Sequence, residues 1–254
     1  MTGVFISART FEEYRAMFAL SEHDLSLRIL DCPGGAASFV AGAGARGTDA
    51  VAVDPQYGPG REALGPLALR ENEHRHAEVV GRAEDFVWTW FGGPRRYTRL
   101  RSRSARDFTA DIAARPGRYV LGSLPNLPFA DRAFDLVLSS HLLFSYGEQM
   151  DEDFHRDALL ELVRVSRGQV RLYPLFLHTS HKRYPALDRM REMLAGYGVP
   201  SRVERVDYAF DPGDEEMLVL ECGGPRDLPG SSLRGRPSSV GFDPVRWRHL
   251  RPDR

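Results

Sequence analysis

Five short, mostly apolar runs limit this chain to few folds, because each is closed by a polar or turn residue and each is separated from the next by enough chain for a crossover. Leu27-Arg28-Ile29-Leu30 stops at Asp31 and the turn Pro33-Gly34-Gly35, and Ala50-Val51-Ala52-Val53 stops at Asp54-Pro55. Tyr119-Val120-Leu121 stops at Gly122-Ser123, Phe134-Asp135-Leu136-Val137-Leu138 at Ser139-Ser140-His141, and Gln169-Val170-Arg171-Leu172-Tyr173 is the fifth. Strands of this kind, joined by helices, suit a parallel sheet covered on both faces. The predicted class is therefore α/β, doubly wound. Two later candidates, Arg202 to Tyr208 and Met217 to Cys222, meet at the turn Asp211-Pro212-Gly213. They read as an antiparallel hairpin that closes the mostly parallel sheet at seven strands.

The helical segments are read from apolar spacing. Phe11, Tyr14, Met17 and Phe18 predict a leading amphipathic helix over about 10–21, Ala36 to Ala45 a helix after the first turn, and about Phe154 to Ser166 the helix before the fifth strand. Between Asp54 and Tyr119 lie 64 residues, more than one crossover needs. Helix candidates there run from about Glu62 to Trp90 and from about Ser104 to Ala114. The expected organisation is one domain over 1–222 with a helical insertion at about 58–118. A Pro-, Gly- and Arg-rich tail follows over 223–254.

Composition excludes more than it selects. A formal net charge of −1 gives no diffuse positive field for nucleic acid. Lys182 is the only lysine, so 33 of the 34 basic residues are arginine. That skew fits a GC-rich bacterial genome and weakens arguments from arginine counts. Cys32 and Cys222 are too few for a zinc site or a disulfide framework. Charges run through the apolar positions of the first 18 residues, which excludes a signal-peptide core there and makes a cytoplasmic protein with no membrane association the expectation.

In doubly wound sheets ligands bind beyond the carboxyl ends of the strands. The residues at those ends, Asp31 with Pro33-Gly34-Gly35, Asp54-Pro55 with Tyr57, Ser123-Leu124 and Ser139 with His141, are in that order similar to the pattern of class I S-adenosylmethionine-dependent methyltransferases, over about Leu25 to Cys222. Gly122-Ser123-Leu124-Pro125-Asn126-Leu127-Pro128-Phe129 resembles the most recognisable stretch of the small-molecule members. The resemblance implies a Rossmann-like methyltransferase fold and S-adenosyl-L-methionine as cofactor. It implies Asp31 near the cofactor's amino group, Gly34 and Gly35 at its close backbone approach, Asp54 on the ribose hydroxyls, and Ser123 or the Leu124 backbone on adenine. Pro33 and Ala37 stand where the family often has glycine, and Ser123 where it commonly has aspartate.

Several residues carry two readings. Tyr57 lines the adenine pocket or packs its loop. His141, after the fourth strand, is the candidate catalytic base for a substrate hydroxyl, or a histidine satisfied by backbone. His178 and His181 have the spacing of a metal pair without further ligands. Trp88, Trp90 and Phe91 line a substrate pocket or pack the insertion. The group Arg95, Arg96, Arg99, Arg101, Arg103 and Arg106 binds an anionic substrate, RNA or a partner, or is a solvated face paired to nearby acids. The expected activity is methyl transfer to a small molecule. The rivals are a non-catalytic scaffold on the same fold, a nicotinamide-dependent oxidoreductase and a nucleic-acid methyltransferase.

Overall fold

The computed structural model describes residues 6, 8–226 and 228–229. Strand β1 (Ile29–Asp31) is buried throughout and pairs in parallel with β2 (Ala50–Asp54) on one side and β4 (Phe134–Ser140) on the other. β3 (Tyr119–Leu121) lies outside β2, and β5 (Ser166–Tyr173) lies outside β4, both parallel. β7 (Glu216–Glu221) then runs antiparallel to β5, and β6 (Ser201–Arg205) antiparallel to β7 at the edge. The order β3-β2-β1-β4-β5-β7-β6 reverses between β1 and β4, the switch point at which such sheets bind ligands.

Alternation along the strands divides the core in two. Ile29, Ala50, Ala52, Leu136 and Leu138 face α1 (Phe11–Met17), α2 (Phe39–Gly44), α3 (Leu64–Gly81) and α4 (Pro94–Ala114). Leu30, Val53, Val137, Val170 and Leu172 face α5 (Glu152–Val165) and α6 (Leu187–Gly196). Thr10 and Glu13 form a capping box that fixes the start of α1, and the Asp151 carboxylate caps α5. No helix among the described residues is long and apolar enough to cross a membrane.

Boundaries differ from the sequence reading where tertiary contacts override local pattern. The helix expected to reach Trp90 ends at Gly81, because Phe86, Trp88 and Phe91 turn away to stack with Phe210. Gly92 and Gly93 have φ of 67° and 126°, the left-handed region open to glycine, and Pro94 then starts α4 ten residues earlier than expected. The hairpin is not tight. Val206 N–H bonds to Glu215 O, and the loop between carries Tyr208, Phe210 and Asp211 back over the sheet. Helix α6 was not anticipated, although Leu187, Met190 and Leu194 bury one face of it. The predicted tail lies outside the described residues except for 223–226 and 228–229.

Candidate active site

Turns after β1, β2, β3 and β4 converge on one cavity at the carboxyl edge of the sheet. It holds about 1270 Å3 of empty space when the open mouth is counted. Of the residues singled out from sequence, Pro33, Gly34, Gly35, Asp54, Pro55, Ser123, Leu124 and His141 line it. Asp31, Tyr57 and Ser139 do not.

The floor is built by close packing. A Cβ on Gly34 would lie 2.5 Å from the Tyr57 hydroxyl and 2.7 Å from Ala52 Cβ, so only glycine lets the turn sit this low. Gly35, at φ 51°, is left-handed, and its carbonyl accepts a 2.7 Å bond from the Tyr57 hydroxyl. Tyr57 therefore supports the turn from behind, beside Phe108 and Tyr119, rather than lining an adenine pocket. Asp54, the last residue of β2, accepts the N–H of Gly35 at 3.0 Å and of Gln56 at 2.9 Å. Burial pushes its carboxyl up to about 6, against the pull of those two bonds.

Asp31 is 1% exposed, and its carboxylate accepts the Tyr14 hydroxyl at 3.1 Å. Tyr14 lines the cavity in its place. Burial raises the Asp31 carboxyl well above its ordinary range, the Tyr14 bond opposing. Ser139 points away from the cavity wall, its buried Oγ without a hydrogen-bond partner. His141 has φ 50°, donates its N–H to Tyr173 O at 2.7 Å and places Nδ1 2.8 Å from Ser140 Oγ. Burial, followed by the charges of Arg9 and Arg101, pushes its imidazole well below the ordinary value, so at neutral pH it is uncharged.

The roof comes from segments the sequence did not connect to the strand ends. Arg9, Tyr14, Arg75, Tyr97, Arg101, Phe210 and Asp211 line the cavity from that side. Arg101 donates to the Glu13 carboxylate at 2.5 Å, and the Tyr208 hydroxyl donates to the same group at 2.9 Å. One buried ion pair thus ties α1, α4 and the 206–215 loop together. Tyr97 and Phe210 stack at 4.7 Å, and the Arg101 guanidinium lies 4.7 Å from the Tyr97 ring centre. Trp88, Trp90 and Phe91 pack this roof and do not line the cavity.

Arg101 Nε and Ser145 Oγ, on cavity-lining residues, are buried without a hydrogen-bond partner among the described residues. A water or a bound group would satisfy them. His178 lines the cavity near Asp211, and burial lowers its imidazole. No group of three or more His, Cys, Asp or Glu able to hold a metal occurs among the described residues.

No family model matches the chain. It is 28% identical over 213 residues to an uncharacterised protein of Methanocaldococcus jannaschii, covering 84% of this chain and 93% of that one. Among solved structures it is similar to magnesium protoporphyrin IX methyltransferase from Synechocystis with bound S-adenosylmethionine, at 12% identity and TM-score 0.46, over 83% of this chain and 77% of that one. A second is 1,6-didemethyltoxoflavin-N1-methyltransferase from Burkholderia thailandensis with bound 1,6-didemethyltoxoflavin and S-adenosylhomocysteine, at 15% identity and TM-score 0.43, over 85% and 79%. Strand order carries the assignment, with five parallel strands closed by the antiparallel pair β6 and β7. The fold is a Rossmann-like, doubly wound sheet with an antiparallel closing pair.

Proposed function

We propose that this chain transfers a methyl group from S-adenosylmethionine to a small, anionic acceptor. The observation that carries the reading is the cavity at the switch point, with the Gly34-Gly35 turn and Asp54 on its floor and His141 beside the guanidiniums of its roof. The donor set suits the cofactor. A buried carboxylate at the end of β2 can accept both ribose hydroxyls, the glycine turn permits close approach, and Ser123 with the Leu124 backbone offers polar groups for adenine. Pro55, which lines the cavity beside Asp54, would lie against the ribose. Asp31 acts at one remove, through the Tyr14 hydroxyl, on the amino group. When bound, the sulfonium supplies an electrophilic methyl carbon.

The protein's own part is alignment and exclusion of water. The insertion carrying α3 and α4 forms the roof over the acceptor. Arg9 and Arg75 favour an acid on the acceptor, and a roofed cavity favours a small one. Neutral His141 takes the proton of an acceptor hydroxyl as its oxygen attacks carbon, or orients an acceptor that is already ionised.

Calorimetric titration with S-adenosylmethionine, S-adenosylhomocysteine and NAD tests the cofactor directly. The first two bind and NAD does not, and binding of NAD alone overturns the reading. His141→Ala lowers turnover by roughly 100-fold or more on a hydroxyl acceptor while leaving S-adenosylhomocysteine affinity within about threefold. Unchanged turnover removes His141 as the base.

A pH dependence also follows. The Asp54 carboxyl is raised to about 6, so it is protonated below that pH and ionised above it. Ribose binding needs the ionised form, so affinity for S-adenosylhomocysteine falls by up to about tenfold per unit as pH drops below about 6. Folding responds in the opposite sense. A carboxyl whose folded value is raised opposes folding as pH climbs from its unfolded value of about 3.9 to about 6. Titrations across this range on the wild type and Asp54→Asn check the point, and the variant should lose the slope.

A further inference from the structure

Helix α4 splits the arginine group that the sequence left undecided. Arg101 turns inward to Glu13, whereas Arg95, Arg96, Arg99, Arg103 and Arg106 line a groove on the outer side of the α3–α4 pair, with His76 on the facing helix. Arg95, Arg99 and Arg103 are one helical turn apart and Arg106 follows three residues on, so four guanidinium stems form one ridge. At 1.5 Å per residue the ridge spans about 16 Å, with neighbouring stems about 6 Å apart.

The ridge is not neutralised. Its one carboxylate partner among the described residues is Asp107, 3.4 Å from Arg103, with both side chains about half exposed or more and the pair worth little. Arg96 donates to the carbonyls of Trp90 and Phe91 and lies against the Trp90 ring, which leaves its charge uncompensated. Among the described residues Arg95, Arg99 and Arg106 have no carboxylate partner, and no acidic residue lines the groove. Several surface arginines elsewhere pair with nearby acids, as in Arg82 with Asp85, Arg156 with Asp153 and Arg191 with Asp188, although Arg70 on α3 forms no ion pair among the described residues. A genome rich in arginine explains the residue type but not the absence of partners along this one ridge.

We propose that this groove binds the phosphate backbone of a nucleic acid. The spacing of the stems approaches that of successive phosphates, and counterion release needs cations rather than shaped apolar contacts. The alternatives lack an anchor. Val80 and Leu121 are the large hydrophobic residues exposed among the described residues, and neither lines the groove. Leu100 is the one apolar residue lining the groove and is only partly exposed, which leaves an acidic protein partner no large hot spot to dock and a membrane surface no apolar face to take up. The groove is separate from the cavity. Tyr97 and Arg101 face the cavity from α4 while the ridge faces out, so the docked strand lies on the outside of the roof.

The test uses the full chain and labelled single-stranded RNA and DNA of about 20 nucleotides, followed by anisotropy at about 50 and 150 mM salt. Four or so phosphate contacts predict a log–log salt slope of about −3, a weakening of roughly 30-fold over that range. The variant R95E/R99E/R106E should lower affinity at about 50 mM salt at least tenfold. Its thermal unfolding and S-adenosylhomocysteine binding should match the wild type, which separates a lost groove from a lost fold. A preference between RNA and DNA identifies the source of the phosphates. No binding at the lower salt overturns the proposal, as does equal binding by the variant. Displacement of the strand by polyglutamate or anionic vesicles at equal charge concentration also overturns it. None of these outcomes bears on methyl transfer, which the cofactor titration tests separately.

Discussion

Asp54→Ala weakens S-adenosylhomocysteine binding by about 1–3 kcal/mol, or roughly 5- to 150-fold, in calorimetric titration near pH 8. The size follows from what one side chain does. Its carboxylate holds the N–H groups of Gly35 and Gln56, so its loss frees two turns at the same time as it removes the acceptor we propose for the ribose hydroxyls. Asp54→Asn retains one acceptor oxygen and should fall between the two. An alanine variant with wild-type affinity removes the ribose role, whatever its effect on turnover.

Glu13→Gln lowers stability by about 3–5 kcal/mol, because it leaves the Arg101 guanidinium buried without its counter-charge. For a chain of this size that amounts to roughly 10 °C in thermal unfolding. The side chains are 0% and 5% exposed, so water does not compensate. The double variant Glu13→Leu with Arg101→Met removes both charges and should recover much of the loss. A single variant as stable as the wild type would mean that the pair is solvated and the roof is held by its aromatic contacts instead.

Both residues bear on what the sequence made legible. Asp54, Gly34, Gly35 and His141 were readable because strand ends in a parallel sheet share one edge, which brings residues far apart in sequence together without further information. Asp31 obeyed the same rule yet is screened by Tyr14, and nothing in its own segment announces a tyrosine from α1. Arg9, Arg75 and Asp211 come from segments whose position depends on how the roof closes, so no strand-end rule reaches them. Arg101 was readable in principle. Tyr97, Arg101, Ala105, Phe108 and Ile112 lie at helical spacing, and following that apolar phase would have marked the one arginine of the row that turns inward. The end of α3 was not readable, since the aromatic partners that draw Phe86 and Trp88 out of helix lie in the 206–215 loop.

The bond from Tyr208 to Glu13 joins residues 195 positions apart. A contact of that separation closes a very long loop, so it forms after the local helices and hairpins in which the chain's first structure appears. During synthesis the floor of the pocket is complete well before the ribosome has delivered the strap that covers it. A ligand that touched floor and cover alike would therefore report that the polypeptide has been made and folded through residue 208.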